Sequence, residues 1–230
     1  MSMYLVTSAT ENEMQPFQAV CPGGKEARQL VTGLGPLETA VRLHSWLSRY
    51  DGPVSGVINF GVAGAYTGSP GLTSPRLLDI CLAEREVLGD LGICFADRVE
   101  RFLDKKLRAY DTFTLNRELL AQARLALDAE NIFFHSGTFV TVNCASGTAR
   151  RGAMLAAAHR GLCENMEGAA VARVCEEFNL PCLELRCISN MVEDRDPGRW
   201  QLAKACVRAA EVTAVLVRRL PSRPSRAAEE

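Results

Sequence analysis

Apolar positions recur along the chain in two rhythms, and their alternation lays out the elements. Apolar runs of strand length occupy residues 3–9, 28–32, 54–60, 77–84, 132–142, 161–166 and 181–189. Between them, apolar residues spaced three and four apart predict helices opening at Thr10 and covering 37–50, 114–130, 145–158 and 168–178. A closing helix spans 199–220, with Pro197 near its first turn. Residues 86–95 continue the fourth strand toward an irregular stretch, and residues 221–230, polar and broken by prolines, predict a disordered tail. Strands alternating with helices predict an α/β protein, here a single domain over 1–220.

Two stretches stand out where strands end: Glu164-Asn165-Met166-Glu167-Gly168-Ala169-Ala170, and Glu184 through Asp194, which contains Arg186-Cys187-Ile188-Ser189-Asn190. In an open α/β sheet such ends are where ligands sit.

Composition narrows the partners. The 26 Lys and Arg balance 27 Asp and Glu, for a formal net charge of −1 and no dense basic stripe. Nothing therefore advertises nucleic acid or an anionic membrane, and a small neutral or weakly charged ligand fits better. No run approaches the roughly 18 to 20 apolar residues of a membrane span, and the N-terminus lacks a signal pattern, so a cytoplasmic protein is expected. Nine scattered cysteines without Cys-x-x-Cys spacing predict reduced thiols, and His44, His135 and His159 lie too far apart in sequence for a His-based metal site or triad.

Several residues carry two readings each. Glu11 and Glu13 follow the first strand: they favour the N-terminal dipole of the next helix, or project over the sheet edge. Gly33-Leu34-Gly35-Pro36 either cradles phosphate or permits a close turn. Gly61-Val62-Ala63-Gly64-Ala65 reads as a small-residue loop after a central strand. Residues 97–111 hold Arg98, Arg101, Lys105, Lys106 and Arg108 around apolar side chains, a solvated basic surface by default. Glu193, Asp194 and Arg195 form a lid or a salt-bridged helix start.

The ordered pair Met-Glu-Gly-Ala-Ala and Arg-x-Ile-Ser-Asn resembles the nucleoside phosphorylase and nucleosidase superfamily, over most of residues 3 to 219. That resemblance implies a three-layer α/β/α fold with a twisted mixed central sheet, a homodimer or higher homo-oligomer, and no metal or cofactor. Relatives that release adenine carry an Asp where this chain has Asn190. Together with the run Ser189 to Asp196 and Trp200, that departure resembles the futalosine hydrolase branch, whose members release hypoxanthine in menaquinone biosynthesis.

The resemblance also implies roles. Glu13 activates water, Glu167 grips the ribose hydroxyls, Met166 packs on the sugar, and Arg186 holds the acid or water in place. Ser189 and Asn190 lie beside the base, and Phe139, Thr141 and Val142 are the candidates for stacking and backbone contact with it, Phe139 being equally readable as core. Val62 replaces a hydroxyl that helps relatives hold phosphate, which favours water over phosphate as nucleophile. A cation from 97–111 would meet the substrate's benzoate in a neighbouring subunit's pocket. Asn190 cannot supply a proton to the departing base, but its amide matches a 6-oxopurine such as hypoxanthine, although a flipped amide also accommodates a 6-aminopurine. The remaining alternatives are an adenine-releasing nucleosidase, a purine nucleoside phosphorylase and a nucleoside-binding protein without catalysis.

Overall fold

The computed structural model describes residues 3–22, 27–67 and 73–221, so the predicted tail, from residue 222 on, lies outside the described residues. Ten strands and six helices follow in chain order. They are β1 (Met3–Ser8), α1 (Glu11–Val20), β2 (Ala27–Val31), α2 (Pro36–Arg49), β3 (Val54–Ala65), β4 (Ile80–Leu88), β5 (Ile93–Cys94) and β6 (Val99–Glu100). Then come β7 (Thr112–Thr114), α3 (Arg117–Ala129), β8 (Phe134–Thr141), α4 (Ala149–His159), β9 (Gly161–Asn165), α5 (Gly168–Glu177), β10 (Cys182–Met191) and α6 (Leu202–Arg219).

Eight strands form one mixed sheet in the order β10-β4-β8-β9-β3-β1-β2, with β7 on β4 and an additional pairing of β10 to β3. That last pairing bends the sheet back on itself. β1 lies parallel to β2 and β3, whereas β10 runs antiparallel to β4 and β3 antiparallel to β9. Strand alternation sorts the apolar residues between the two faces. Tyr4, Val6, Ile58 and Phe60 pack under α1, α3 and α6, while Leu5 and Val57 pack under α2 and α5. Helix, sheet and helix thus make the expected three layers. Among the described residues no helix is long and apolar enough to cross a membrane.

Three predicted boundaries move for identifiable reasons. The run Gly61 to Ala65 is strand, not loop, because its backbone is paired with Arg186 through Met191 of β10. Thr114 belongs to β7, paired with β4, and Asn116 caps α3 by accepting from the Leu119 N–H at 2.8 Å. The final helix is preceded by a separate 3₁₀ turn at Pro197–Arg199. All nine cysteines are free, seven of them buried.

Candidate active site

A cavity of about 290 Å³ opens where the ends of β1, β3, β9 and β10 converge, and the N-terminus of α1 and the residues preceding α6 wall it. Glu13, Val62, Val142, Met166, Glu167, Arg186, Ser189 and Asn190 all line it. The structure therefore brings together eight of the ten residues singled out from sequence.

At its floor lies Arg186, 1% exposed. Its Nε donates to Glu184 Oε1 at 2.9 Å, Nη2 to Glu167 Oε2 at 3.4 Å and Nη1 to the Val62 carbonyl at 3.3 Å. Burial alone would depress this guanidinium, but the charges of Glu184, Glu167 and Glu13 prevail and hold it above its ordinary value. Glu184 and Arg186, two apart on a strand, share a face, so an acid and its cation enter the interior as a pair.

Glu13 is buried, whereas Glu11 remains exposed. The backbone N–H and hydroxyl of Thr10 donate to Glu13 Oε2 at 3.0 and 2.8 Å, and the Val62 N–H donates to Oε1 at 3.1 Å. Three donors hold one carboxylate at the mouth of the cavity. Gly61 makes this approach possible: a Cβ there would lie 2.7 Å from Arg186 Nη1 and run into Glu13 Oε1.

Glu167 stands at the N-terminus of α5, and its Oε1 accepts from the Gly35 N–H at 3.0 Å. Gly33 and Gly35 both have φ of 86°, so the glycine turn is a left-handed turn that presents a backbone donor to a side-chain carboxylate. Burial pushes the Glu167 carboxyl up, against the opposing pull of Arg186 and the Gly35 N–H.

Beneath this layer sits a second one that the sequence reading did not assign. Glu86 and Glu184 both lie against Gly168, where any Cβ would collide with their oxygens. Burial, and then the charge and hydrogen bond of Glu184, push the Glu86 carboxyl well above its ordinary range. Glu184 Oε2 has no N–H or hydroxyl partner and lies beside Glu86 at Gly168. Thr141 and Asn165 donate to Glu86 at 2.8 and 2.7 Å, while Asn165 Oδ1 accepts the N–H groups of Glu167 and Gly168 at 2.9 and 2.7 Å. Hydrogen bonds therefore link the Glu167 turn to the buried acid pair. The available signal was an acid inside each of two apolar strands.

On the far wall the pairing of β10 to β3 slips by one residue between Ile188 and Asn190. This bulge turns two consecutive residues, Ser189 and Asn190, to the cavity. The Ser189 hydroxyl lies 2.8 Å from Asn190 Oδ1 and 3.3 Å from the Ala63 carbonyl, and Asn190 Nδ2 donates to the Met191 carbonyl at 3.2 Å.

Phe139 and Thr141 are not among the lining residues. Strand parity separates them from Val142: Phe139 is fully buried in the core under α2 and α5, and the Thr141 hydroxyl is bonded to Glu86. Nor does the 97–111 segment reach the cavity within this subunit, since Arg98 pairs with Asp97 and Glu100, and Arg101 pairs with Asp111. Arg195 instead lines the wall, its guanidinium 4.7 Å from the centre of the Trp200 ring. Its neighbours do anchor a helix start: Glu193 pairs with Arg199 at 2.7 Å, and Asp194 accepts the Ala149 N–H at the head of α4 at 3.0 Å.

With a net acidic lining, a bared Val62 side chain and an amide on the far wall, the cavity suits a ligand on which positive charge develops. Comparison with known proteins identifies the family. The family model of the phosphorylase superfamily matches residues 17–221. The chain is 30% identical over 214 residues to the futalosine hydrolase of Thermus thermophilus, covering 88% of this chain and 90% of that protein. It is also 30% identical over 180 residues to the futalosine hydrolase of Streptomyces coelicolor, covering 76% and 72%. A solved futalosine hydrolase mutant of Helicobacter pylori matches the fold with a TM-score of 0.83 at 19% identity, over 96% of this chain and 100% of that one. The chain belongs to the phosphorylase superfamily and, within it, to the family of the futalosine hydrolases.

Proposed function

We propose that this protein is an N-glycosyl hydrolase that cleaves futalosine to hypoxanthine and dehypoxanthine futalosine in menaquinone biosynthesis. The observation that carries the reading is Asn190 in one cavity with Glu13, Glu167 and Arg186, in a chain whose relatives are futalosine hydrolases.

Cleavage of an N-glycosidic bond passes through an oxocarbenium-like ribose, which needs nearby negative charge, an activated water and a base able to leave. Glu13 orients water and takes its proton, with Thr10 and Val62 fixing the carboxylate. Glu167 accepts from the ribose hydroxyls and offsets charge on the ring as it grows. Met166 packs on the sugar, Val142 borders the base, and Asn190, steadied by Ser189, meets the six-position oxygen and neighbouring ring nitrogen of the departing base. Arg186 pairs with Glu167 and sets a positive charge near Glu13.

Water rather than phosphate is the nucleophile in this reading. The Val62 N–H is already spent on Glu13, and Arg186 is matched by carboxylates, so a phosphate dianion approaching Val62 would meet acids where its donors are already engaged. We further propose a cytoplasmic homo-oligomer. Leu103, Leu107 and Tyr110 are exposed at 86%, 60% and 62%, beside an apolar groove that includes Ala40, Phe113 and Ala169. A second copy covering that groove would bury them and bring residues 97–111 near another cavity.

One assay tests the reading. The protein is incubated with futalosine, its 6-amino counterpart, inosine and methylthioadenosine, with and without phosphate, and the freed base is identified. Hypoxanthine from futalosine without phosphate is expected. Preferential adenine release would make it an adenine nucleosidase, phosphate-dependent formation of ribose 1-phosphate a phosphorylase, and binding without turnover a receptor.

A further inference from the structure

Gly64, near the end of β3, is paired on one edge with Asn190 of β10 and on the other with Glu164 of β9. Residues side by side on adjacent strands project to the same face. A Cβ built on Gly64 would meet Val192 Cγ2 at 2.9 Å, Asn190 Nδ2 at 3.1 Å and Glu164 Cγ at 3.6 Å, so the two polar side chains converge at a glycine covered by Val192. Both polar side chains lie within 4 Å of that one point, close enough to meet adjacent positions on a single edge of a base. Gly64, Asn190 and Glu164 all line the cavity.

Glu164 is held rigidly but is not used up. Its Oε1 accepts the Ser146 N–H at 2.7 Å, and its Oε2 accepts the Tyr66 hydroxyl at 3.2 Å. Tyr66 is 1% exposed, and burial followed by the Glu164 charge pushes its phenol well above the ordinary value, so it remains a donor. Each carboxylate oxygen keeps a further acceptor site. Ser146 Oγ, buried in the same wall, has no partner of its own.

The two candidate bases differ at one ring nitrogen. A 6-oxopurine carries a hydrogen on N1, whereas a 6-aminopurine presents a lone pair there. The Asn190 amide can turn over and serve either base. A carboxylate has only acceptors to offer.

Resting on the reading that the cavity takes a purine nucleoside, we propose that Glu164 is a specificity-determining residue, selecting 6-oxopurines by accepting their N1–H and opposing the N1 lone pair of 6-aminopurines. Asn190 then holds the neighbouring oxygen on the same edge of the base. Removal of the proton from the leaving base is not assigned to Glu164, whose role is in binding.

The test measures kcat and KM for futalosine and its 6-amino counterpart in wild type and Glu164→Gln, with inhibition by hypoxanthine and adenine. A buried hydrogen bond to a charged group implies a loss of at least ~10-fold for futalosine, in KM and hypoxanthine affinity rather than kcat. The Gln amide can donate to the 6-aminopurine N1, so the ratio of specificities should move toward the 6-amino substrate by at least ~10-fold. An unchanged ratio overturns the inference. Should Glu164→Gln not fold, wild type decides: 6-methoxypurine, which keeps the six-position oxygen and lacks N1–H, should inhibit at least ~10-fold more weakly than hypoxanthine, and equal inhibition overturns the inference. A wild-type preference for the 6-amino substrate defeats the functional reading as well. A wild-type futalosine preference whose size is unchanged in Glu164→Gln defeats this inference alone.

Discussion

Glu86 and Glu184 meet against the Cα of Gly168 as two neighbouring buried carboxyl groups, and burial together with Glu184 pushes Glu86 well above its ordinary range. The pair links the site to the sheet: Glu184 holds Arg186 from below, and Glu86, through Asn165, holds the turn that carries Glu167. Four ionisable side chains, Glu86, Glu184, Glu167 and Arg186, are packed together here, and the guanidinium pairs with two of the acids.

The upward shift of Glu86 has a pH signature. Above the ordinary carboxylate range, the unfolded chain loses the Glu86 proton while the folded protein keeps it. The folded state then binds more protons, and the free energy of unfolding falls as pH rises until Glu86 ionises in the folded state. Glu86→Gln, an isostere of the neutral acid, should remove up to about 1.4 kcal/mol per pH unit of that decline. Denaturation midpoints measured from about pH 5 upward check this, and a steeper decline in the variant would contradict it.

Glu13→Gln should lower kcat by at least ~10²-fold, the usual cost of losing a general base. Glutamine's oxygen can keep the two Thr10 donors while its NH2 faces the Val62 N–H, so unfolding temperature should fall modestly and hypoxanthine affinity change little. Unaltered turnover would mean that another group activates the water.

Gly61→Ala places a methyl 2.7 Å from Arg186 Nη1 and against Glu13 Oε1. Crowding of this kind costs about 1–3 kcal/mol in stability. Because the displaced groups are the base and its guanidinium, kcat should fall by ~10²-fold, as for a misplacement of about 1 Å. A variant with full kcat would show that the pair tolerates movement.

Phe139→Ala should be a stability variant, costing about 3–5 kcal/mol for an emptied core position. The milder Phe139→Leu should fold and retain the wild-type KM for the nucleoside, because no part of the cavity wall moves. A large rise in KM with unchanged unfolding temperature would return Phe139 to the base.

Much of this protein was legible along the chain because the information was local. Apolar periodicity located the main strands and helices to within a few residues, and the residues around Glu13, Met166-Glu167 and Arg186-Ser189-Asn190 belong to short motifs at strand ends. Those residues do converge on one cavity. What the tertiary structure alone decided depends on which strands become neighbours, and hydrogen-bond partners far apart in sequence leave no local trace. Pairing with β10 made strand of Gly61 to Ala65, and the parity of β8 sent Phe139 into the core while Val142 faced the cavity. Placing β3 between β9 and β10 set Glu164 opposite Asn190, and closing the sheet brought Glu86 to Glu184 from 98 positions away. A lone acid in an apolar strand reveals only that it needs a partner, and the fold supplies the partner.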